Sequence, residues 1–275
     1  MNLKISIIIA TYNRCYCISN AIDSIFNAFY QQPRNTFEII IVDDCSTDAT
    51  ESLIREKYSS EISNKVICYE RLDSNKGVSG ARNHGVLKAN GDWVLFFDSD
   101  DTLIHNVGHL MVKELESYLA EPIVFFRCID QDDNFVGVFF SHKTKRISLN
   151  EYLMHSSYGE ALTAVRTSVM LNNLFLEELR GYEGYTLAKI LKSHDACAVL
   201  SNLIARKYIQ TGVDRLSNRS GFRKRYRLLA KGHFLMVNEF SNHMPYSLVF
   251  QYLIKSALYY IYVYTIGFLV KDKFY

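Results

Sequence analysis

Two patterns of apolar residues alternate along the first half of the chain. Short, nearly continuous apolar runs predict strands over residues 4–10, 37–43, 65–71, 93–98 and 122–127. Between them, apolar residues recur every three or four positions and predict helices over residues 16–29, 47–58, 78–89 and 106–119. Strands without polar alternation are typical of a sheet covered on both faces. The order therefore predicts an α/β fold, with a doubly wound, mainly parallel sheet and helices on both faces.

The alternation fades after about residue 130. A helix is predicted over residues 183–193, and residues 206–231 carry nine Lys and Arg residues against the single acid Asp214. Residues 246–270 are largely apolar and aromatic. We therefore expect a ligand-binding and catalytic domain over residues 1–205, followed by a basic and aromatic helical region over residues 206–275.

Polar side chains follow the predicted strands at the points where those strands end. In open α/β sheets, ligands bind beyond the carboxyl ends of the strands. The residues concerned are Thr11, Tyr12, Asp43, Asp44, Asn75, Asp98, Asp100 and Asp101. We expect them to meet along one rim, although Asp and Asn are common in turns in any case.

Asp98 and Asp100 follow the apolar run "WVLFF" and crowd negative charge at a strand end. Crowded carboxylates require a compensating cation or proton uptake. If the strand geometry persists, both side chains point to one side and can hold a divalent ion that also binds phosphate. The alternative is a solvated turn.

Two further groups suggest a nucleotide ligand. Asp43 and Asp44, together with Tyr12, suit a base or ribose, although an acid at this position also caps helices. The segment "NKGVSGARNHG" places glycines before Arg82, which can pair with phosphate, or it is an ordinary loop with a surface arginine. It matches neither a dinucleotide fingerprint nor a phosphate-binding P-loop, which disfavours both of those classes.

With these motifs in order, the chain resembles the family 2 glycosyltransferases of the GT-A fold. The resemblance rests on "SIIIATYNR", "EIIIVDDCSTDAT", "NKGVSGARNHG" and "GDWVLFFDSDD". It is strong over about residues 4–105 and continues weakly through "RGYEGYTLAKILKSHD". The same residues resemble sugar transferases of bacterial O-antigen and capsule gene clusters.

The resemblance implies an inverting transfer from a nucleotide sugar, most often a UDP-hexose or UDP-N-acetylhexosamine. The acceptor would be a saccharide, expected to be linked to undecaprenyl diphosphate. Thr11, Tyr12 and Asp44 would hold uracil and ribose, supported by Asp43. The strand-end loop with Asn75 and the helix with Arg82 would complete the donor site.

The family's metal motif falls on Asp98 and Asp100, which would bind Mn²⁺ or Mg²⁺ on the diphosphate, while Asp101 would orient ligand or acceptor. The family often carries Glu-Asp at the start of its later helix, with one acid as the catalytic base. Here that pair is Glu183-Gly184. Glu183 is therefore our candidate base, with Asp101 the next candidate.

Two alternatives remain at this point. A metal-dependent nucleotidyltransferase would use a similar sheet and release pyrophosphate instead of UDP. A degenerate homologue would bind a nucleotide sugar without turnover, as the glycine at position 184 suggests.

The charge distribution bears on partners and location. Residues 1–150 carry 15 Lys and Arg against 20 Asp and Glu, whereas residues 151–275 carry 16 against 9. The six cysteines form no C-x-x-C pair, and no signal peptide is recognisable, so we expect reduced thiols and a cytoplasmic location. The basic segment and the aromatic tail predict peripheral binding to the inner face of the cell membrane. The alternative is a C-terminal helix that packs in the core, with a solvated basic face. We expect no nucleic-acid partner.

Overall fold

The structure, a computed structural model, describes residues 3–137, 143–154, 161–179, 181–208 and 226–263 of the 275-residue chain. Within these ranges the chain forms ten strands and ten α-helices. The strands are β1 Ile5–Thr11, β2 Phe37–Asp43, β3 Ile67–Arg71, β4 Trp93–Asp98, β5 Thr102–Leu103, β6 Ile123–Ile129, β7 Phe135–Val136, β8 Lys145–Ile147, β9 Leu162–Arg166 and β10 Ala198–Lys207. The helices are α1 Ile18–Ala28, α2 Thr50–Lys57, α3 Ser59–Ser63, α4 Gly77–Lys88, α5 Gly108–Ser117, α6 Leu149–Met154, α7 Thr167–Leu171, α8 Glu183–Ser193, α9 Tyr226–Phe240 and α10 Tyr246–Ile261.

The described strands join in a single mixed sheet. Its main path runs β3-β2-β1-β4-β9-β6-β10-β5, while β7 pairs with β6 and β8 pairs with β10. Neighbours are parallel from β3 to β4 and again between β6 and β10. Strand β9 lies antiparallel between β4 and β6. The predicted doubly wound, mainly parallel sheet is confirmed.

Apolar side chains pack on both faces of the sheet. On one face, Ile5, Ile7 and Ile9 of β1 pack in a core that includes residues of α1 and α5. On the other, Ile8 of β1 packs in a core that includes residues of α4, α8, α9 and α10. All four isoleucines are fully buried, and each such burial contributes roughly 1.5–3 kcal/mol. The apolar run of β1 is continuous because both faces of the sheet are covered, so side chains pointing either way are buried.

Helix α4 lies unusually close to the sheet. A Cβ atom on Gly85 would come within 2.5 Å of the Ile8 side chain, so only glycine allows this approach. The helix begins at Gly77, whose φ of 74° lies in the left-handed region that favours glycine. These two glycines fix both the start of α4 and its depth against β1, and so the position of Arg82 within the helix.

The C-terminal helices belong to the second core. Met236 and Phe240 of α9 and Tyr252 of α10 are buried with residues of β4 and α8. The helical character expected for the C-terminal region is therefore observed over residues 226–261. Strand β10 continues to Lys207 and so crosses the boundary expected at residue 205. The division into two domains remains a prediction.

Candidate active site

The carboxyl ends of β1, β2 and β4 lie side by side. Strand β1 pairs in parallel with both neighbours, which sets Thr11 opposite Asp43 and Ala10 opposite Asp98. Three of the predicted strand ends therefore meet at one rim. Their side chains form two groups, one around Asp43 and Asp44 and the other around Asp98.

Asp43 and Asp44 are both buried and both hydrogen-bonded. Asp43 accepts bonds from the backbone N–H of Ser46 and the hydroxyl of Tyr69, each at 2.7 Å. Asp44 accepts bonds from the backbone N–H groups of Lys76 at 2.6 Å and Gly77 at 2.7 Å. Asp44 thus stabilises the N-terminus of α4 instead of the helix that follows it in sequence. The alternative of capping the helix that follows in sequence is therefore not what Asp44 does, because its hydrogen bonds go to the start of α4. A role toward a nucleoside remains a prediction.

The other residues expected to hold the nucleoside lie around Asp44. The Thr11 hydroxyl is buried and, within the described part of the chain, has no hydrogen-bond partner. A buried hydroxyl without a partner is costly and suits a ligand that would supply one. Asn75 donates its side-chain N–H to the backbone carbonyl of Asp44 at 3.1 Å. Tyr12, which follows Thr11, is 44 % exposed, and its expected contact with the base remains a prediction.

Asp98 lies between two arginines. Its Oδ1 is 2.7 Å from Nη2 of Arg82, and its Oδ2 is 3.3 Å from Nη1 of Arg206. The same Nη1 of Arg206 is 3.0 Å from Oδ2 of the buried Asp101. Burial raises the pKa of Asp98, but the two guanidinium groups outweigh it and hold that pKa below its ordinary value. Two arginines therefore already offset part of the crowded negative charge.

The acids of the "DSDD" motif separate after the strand ends. Strand β4 stops at Asp98, and residues 99 and 100 form a turn closed by a 3.3 Å bond from Asp101 N–H to the Asp98 carbonyl. The premise that extended geometry continues through Asp100 was therefore wrong. Burial and then the Asp100 carboxylate raise the pKa of the Cys17 thiol, which sets Asp100 near the start of α1. Asp98 instead faces α4 and β10.

Glu183 opens α8 and comes within 3.5 Å of Nη1 of Arg82. Arg82 thereby links the strand-end acid Asp98 to the candidate base. A Cβ atom on Gly184 would lie 3.3 Å from the Tyr152 hydroxyl, which donates a 3.4 Å hydrogen bond to the Gly184 carbonyl. The space beside position 184, where the family often has its acid, is thus bordered by a tyrosine hydroxyl.

A cavity of about 440 Å³ adjoins Asp98 and Glu183. Aromatic rings form much of its wall, namely Phe96, Phe125, Tyr152, Phe175, Tyr182 and Tyr252. Polar groups from Arg82, Arg206, His233 and Lys255 also reach it. Its size and its mixture of aromatic and convergent polar groups are those of a small-molecule site.

Arg206 is the main site residue that the sequence misplaced. It was assigned to the basic segment expected to face a membrane, but it lies in β10, is 4 % exposed and pairs with Asp98 and Asp101. The signal that identifies it is the run "AVLSNLIARK", which is apolar enough to be a strand. Most of the basic segment, residues 209–225, lies outside the described residues.

The carboxylates fit a divalent ion only in part. Within the described residues, no group of three or more His, Cys, Asp or Glu side chains has the arrangement of a metal site. Mg²⁺, however, is commonly held by one or two carboxylates together with substrate phosphates. Asp98 and Asp100 supply hard oxygen ligands of that kind at the rim. One such carboxylate together with a diphosphate is enough to hold an ion of this kind, and the assignment to Asp98 and Asp100 remains a prediction.

Acidic strand ends on an α/β sheet, next to a cavity lined by aromatic and polar side chains, are typical of an enzyme that binds a small molecule at the rim of its sheet. The chain belongs to Glycosyl transferase family 2, whose sequence profile matches residues 6–180. The family predicted from the motifs is confirmed.

Two bacterial relatives are similar over most of the chain. The GalNAc(5)-diNAcBac-PP-undecaprenol beta-1,3-glucosyltransferase of Campylobacter jejuni is 28 % identical over 225 residues, covering 80 % of this chain and 70 % of that protein. The UDP-Glc:alpha-D-GlcNAc-diphosphoundecaprenol beta-1,3-glucosyltransferase WfgD of Escherichia coli is 29 % identical over 207 residues, covering 74 % and 76 %.

Among solved structures, Staphylococcus aureus TarS 1-349 in complex with UDP-GlcNAc superposes with a TM-score of 0.68 at 19 % identity. The superposition covers 98 % of this chain and 76 % of that one. At this identity the likeness shows the fold, and it confirms the predicted GT-A architecture.

Proposed function

We propose that this chain transfers a hexose or N-acetylhexosamine from a UDP-sugar to a lipid-linked saccharide, inverting the anomeric centre. The two relatives named for glucosyl transfer to undecaprenol-linked diphosphate acceptors support this donor and acceptor class. The observation that carries the proposal is the position of Arg82, which contacts both Asp98 and Glu183. A single side chain thus joins the strand-end acids to the candidate base at the edge of the aromatic cavity.

The residues divide the chemistry between them. Thr11, Tyr12, Asp44 and Asn75 hold the nucleoside, with Asp43 fixing the loop beneath it. Glu183 accepts the proton of the acceptor hydroxyl as its oxygen attacks the anomeric carbon. The bond from that carbon to the diphosphate breaks, and UDP leaves with the electron pair. Arg82 stabilises the negative charge that grows on the diphosphate.

We assign the divalent ion to Asp98 and Asp100. When bound, Mn²⁺ or Mg²⁺ would supply further charge stabilisation to the leaving diphosphate. Asp101 is a positioning residue in this proposal, because its ion pair with Arg206 holds that guanidinium beside Asp98.

The membrane is the expected location of a lipid-linked acceptor. Among the described helices, none is both long and apolar enough to cross a bilayer. Exposed apolar residues instead line one side of α10, at positions Tyr246, Phe250, Leu253, Ile254, Leu258 and Ile261. We propose that this side, called the α10 apolar face, rests in the interface of the inner face of the cell membrane.

The experiment is a product assay with the purified full chain. UDP-glucose, UDP-galactose and their N-acetyl forms are each incubated with a saccharide carried on a prenyl diphosphate, with Mn²⁺, with Mg²⁺ or with EDTA. We expect UDP and a glycosylated lipid with one donor, and loss of both products in EDTA. Release of pyrophosphate would indicate a nucleotidyltransferase, and UDP-sugar binding without product would indicate an inactive homologue.

A further inference from the structure

The cavity borders the candidate base but not the residues expected to bind the nucleoside. Its wall includes Asp98, Arg82 and Glu183, whereas the described residues expected to bind the nucleoside, Thr11, Tyr12, Asp43, Asp44 and Asn75, do not line it. The cavity is therefore separate from the residues proposed to hold the nucleoside, and in the proposed function it is available to the acceptor. A sugar that presents a hydroxyl to Glu183 would occupy the cavity itself.

The cations of the cavity differ in their partners. Arg82 is paired with Asp98 and Glu183, and Arg206 is paired with Asp98 and Asp101. Lys255 also lines the cavity, yet within the described part of the chain its ammonium group makes no ion pair or hydrogen bond. It thus leaves positive charge in the wall that no described carboxylate offsets.

The position of Lys255 on α10 relates the cavity to the outer surface. On one side of this helix, Tyr252 and Ser256 are buried, and the Ser256 hydroxyl donates a 2.8 Å bond to the Ala230 carbonyl of α9. On the opposite side lies the α10 apolar face. Lys255 follows Ile254 of that face and also borders the cavity, so the same helix contacts both regions.

The electrostatics around His233 agree with this position. Burial lowers the pKa of His233, a hydrogen bond to the Leu229 carbonyl opposes that effect, and the charge of Lys255 lowers the pKa further. The Lys255 ammonium is therefore close enough to the cavity wall to act on a neighbouring ring. It would act on a bound anion in the same way.

We propose that Lys255 is an anion subsite for the diphosphate that joins the acceptor sugar to its lipid. This inference rests on the proposed function. A diphosphate is compact and strongly charged, and a lysine ammonium binds phosphate as a point charge. An acceptor held this way would place its sugar in the aromatic cavity, its diphosphate at Lys255 and its lipid along the α10 apolar face. The subsite would select acceptors by their charge as well as by their sugar.

The test compares two acceptors that differ only in the linker. One carries the saccharide on a short prenyl diphosphate, and the other carries the same saccharide on a neutral alkyl chain. In Lys255→Gln we expect KM for the diphosphate acceptor to rise about 10- to 100-fold, the usual contribution of a hydrogen bond to a charged group. KM for the neutral acceptor and the affinity for UDP should stay within a few-fold of wild type. Lys255→Arg should largely restore binding, because it keeps the charge.

Lys231→Gln is the matched control, because Lys231 lies on α9 and pairs with Glu178 at 2.8 Å. It should leave both KM values unchanged. An equal rise in KM for both acceptors in Lys255→Gln would mean a packing role, and a loss of UDP affinity would assign Lys255 to the donor diphosphate. Either result, or no change at all, overturns the subsite.

Calorimetric titration with the diphosphate acceptor gives an answer without turnover. Weaker binding to Lys255→Gln than to wild type and Lys231→Gln would support the subsite even if no sugar were transferred. Equal binding to all three would overturn it while transfer by wild type still supported the proposed function. A failure of the Lys255 subsite is therefore distinguishable from a failure of the proposed sugar transfer.

Discussion

At the scale of single residues, Glu183 can be tested as the base because its shape can be kept while its basicity is removed. We expect Glu183→Gln to lower kcat by roughly 10²–10⁴, the contribution of a positioned general base. UDP affinity should be nearly unchanged, because Glu183 is not among the residues proposed to hold the nucleoside. Steady-state kinetics combined with UDP titration measures both quantities.

Glu178→Gln serves as the control for this change. Glu178 is an exposed glutamate five positions earlier, paired with Lys231 on the surface, and its replacement should leave kcat within a few-fold of wild type. If Glu183→Gln also stays within a few-fold, the base lies elsewhere, and Asp101→Asn becomes the next variant to measure.

Arg206 and Lys207 are neighbours in β10 that make ion pairs in different surroundings. Arg206 pairs with Asp101, whose side chain is 1 % exposed, whereas Lys207 pairs with Asp133, whose side chain is 72 % exposed. Breaking a buried pair leaves an uncompensated charge, so Arg206→Met should lower the free energy of unfolding by about 3–5 kcal/mol. Lys207→Gln should cost about 0–1 kcal/mol. Urea unfolding of both variants provides the comparison.

Adding Asp101→Asn to Arg206→Met should recover part of the lost stability, because it removes the charge left behind. The assignment of Arg206 to a buried network would be wrong if Arg206→Met and Lys207→Gln had equal effects on the free energy of unfolding.

The contrast between these neighbours also shows what could be predicted from sequence. The strand-end acids were predictable because parallel strands bring their carboxyl ends to one rim, as the pairing of Thr11 with Asp43 demonstrates. The buried position of Arg206 was not predictable, because in sequence this residue begins a run of cations and only strand pairing buries it. Lys255 and Tyr152 come to the site by the docking of helices, which leaves no local motif.

At the scale of elements, the prediction was accurate where each apolar run is continuous. Strands β2 and β4 and helix α8 have the predicted bounds. Apart from the short α3 and β5, the elements missed lie later in the chain. Strand β9 has five residues and pairs antiparallel with β4 and β6, about 40 to 70 positions away in sequence. Its existence depends on these long-range pairings, which a window of local periodicity does not contain.

The contact between α9 and α10 makes stability depend on pH through His233. Its ring lies against Tyr182, Tyr252 and Tyr259, and Lys255 is the cation near it. Burial lowers the pKa of His233 below its ordinary value of 6.5. Below about pH 6.5 the unfolded chain therefore binds a proton that the folded protein resists, and the free energy of unfolding falls as the pH falls.

We expect wild type to lose more of its free energy of unfolding than His233→Phe between about pH 7 and pH 5. The slope with pH is the measured quantity, because the variant also loses the hydrogen bond to Leu229. A His233→Phe slope equal to that of wild type would contradict this account.

At the scale of the whole molecule, the acidic N-terminal half and the basic C-terminal half face different partners in our proposal. Five of the 20 acids of the first half, Asp43, Asp44, Asp98, Asp100 and Asp101, follow the strand ends at the rim that is proposed to hold donor and metal. The basic C-terminal half carries α10, whose apolar face is exposed over about four turns. A protein surface of this kind, with cations in the same part of the chain, is typical of binding to anionic lipid.

The final prediction is that the α10 apolar face carries the membrane affinity. Phe250→Ser, Ile254→Ser and Leu258→Ser together should weaken partitioning onto anionic vesicles by at least about 100-fold, because burial of three large apolar side chains is worth several kcal/mol. Buried Tyr252 and Ser256 stay intact, so the helix keeps its packing. The control replaces three exposed leucines elsewhere, Leu87, Leu110 and Leu119, with serine. Flotation measures partitioning, and added salt should weaken it further. The control variant should float as wild type does. If the α10 variant did so too, α10 would not be the membrane contact.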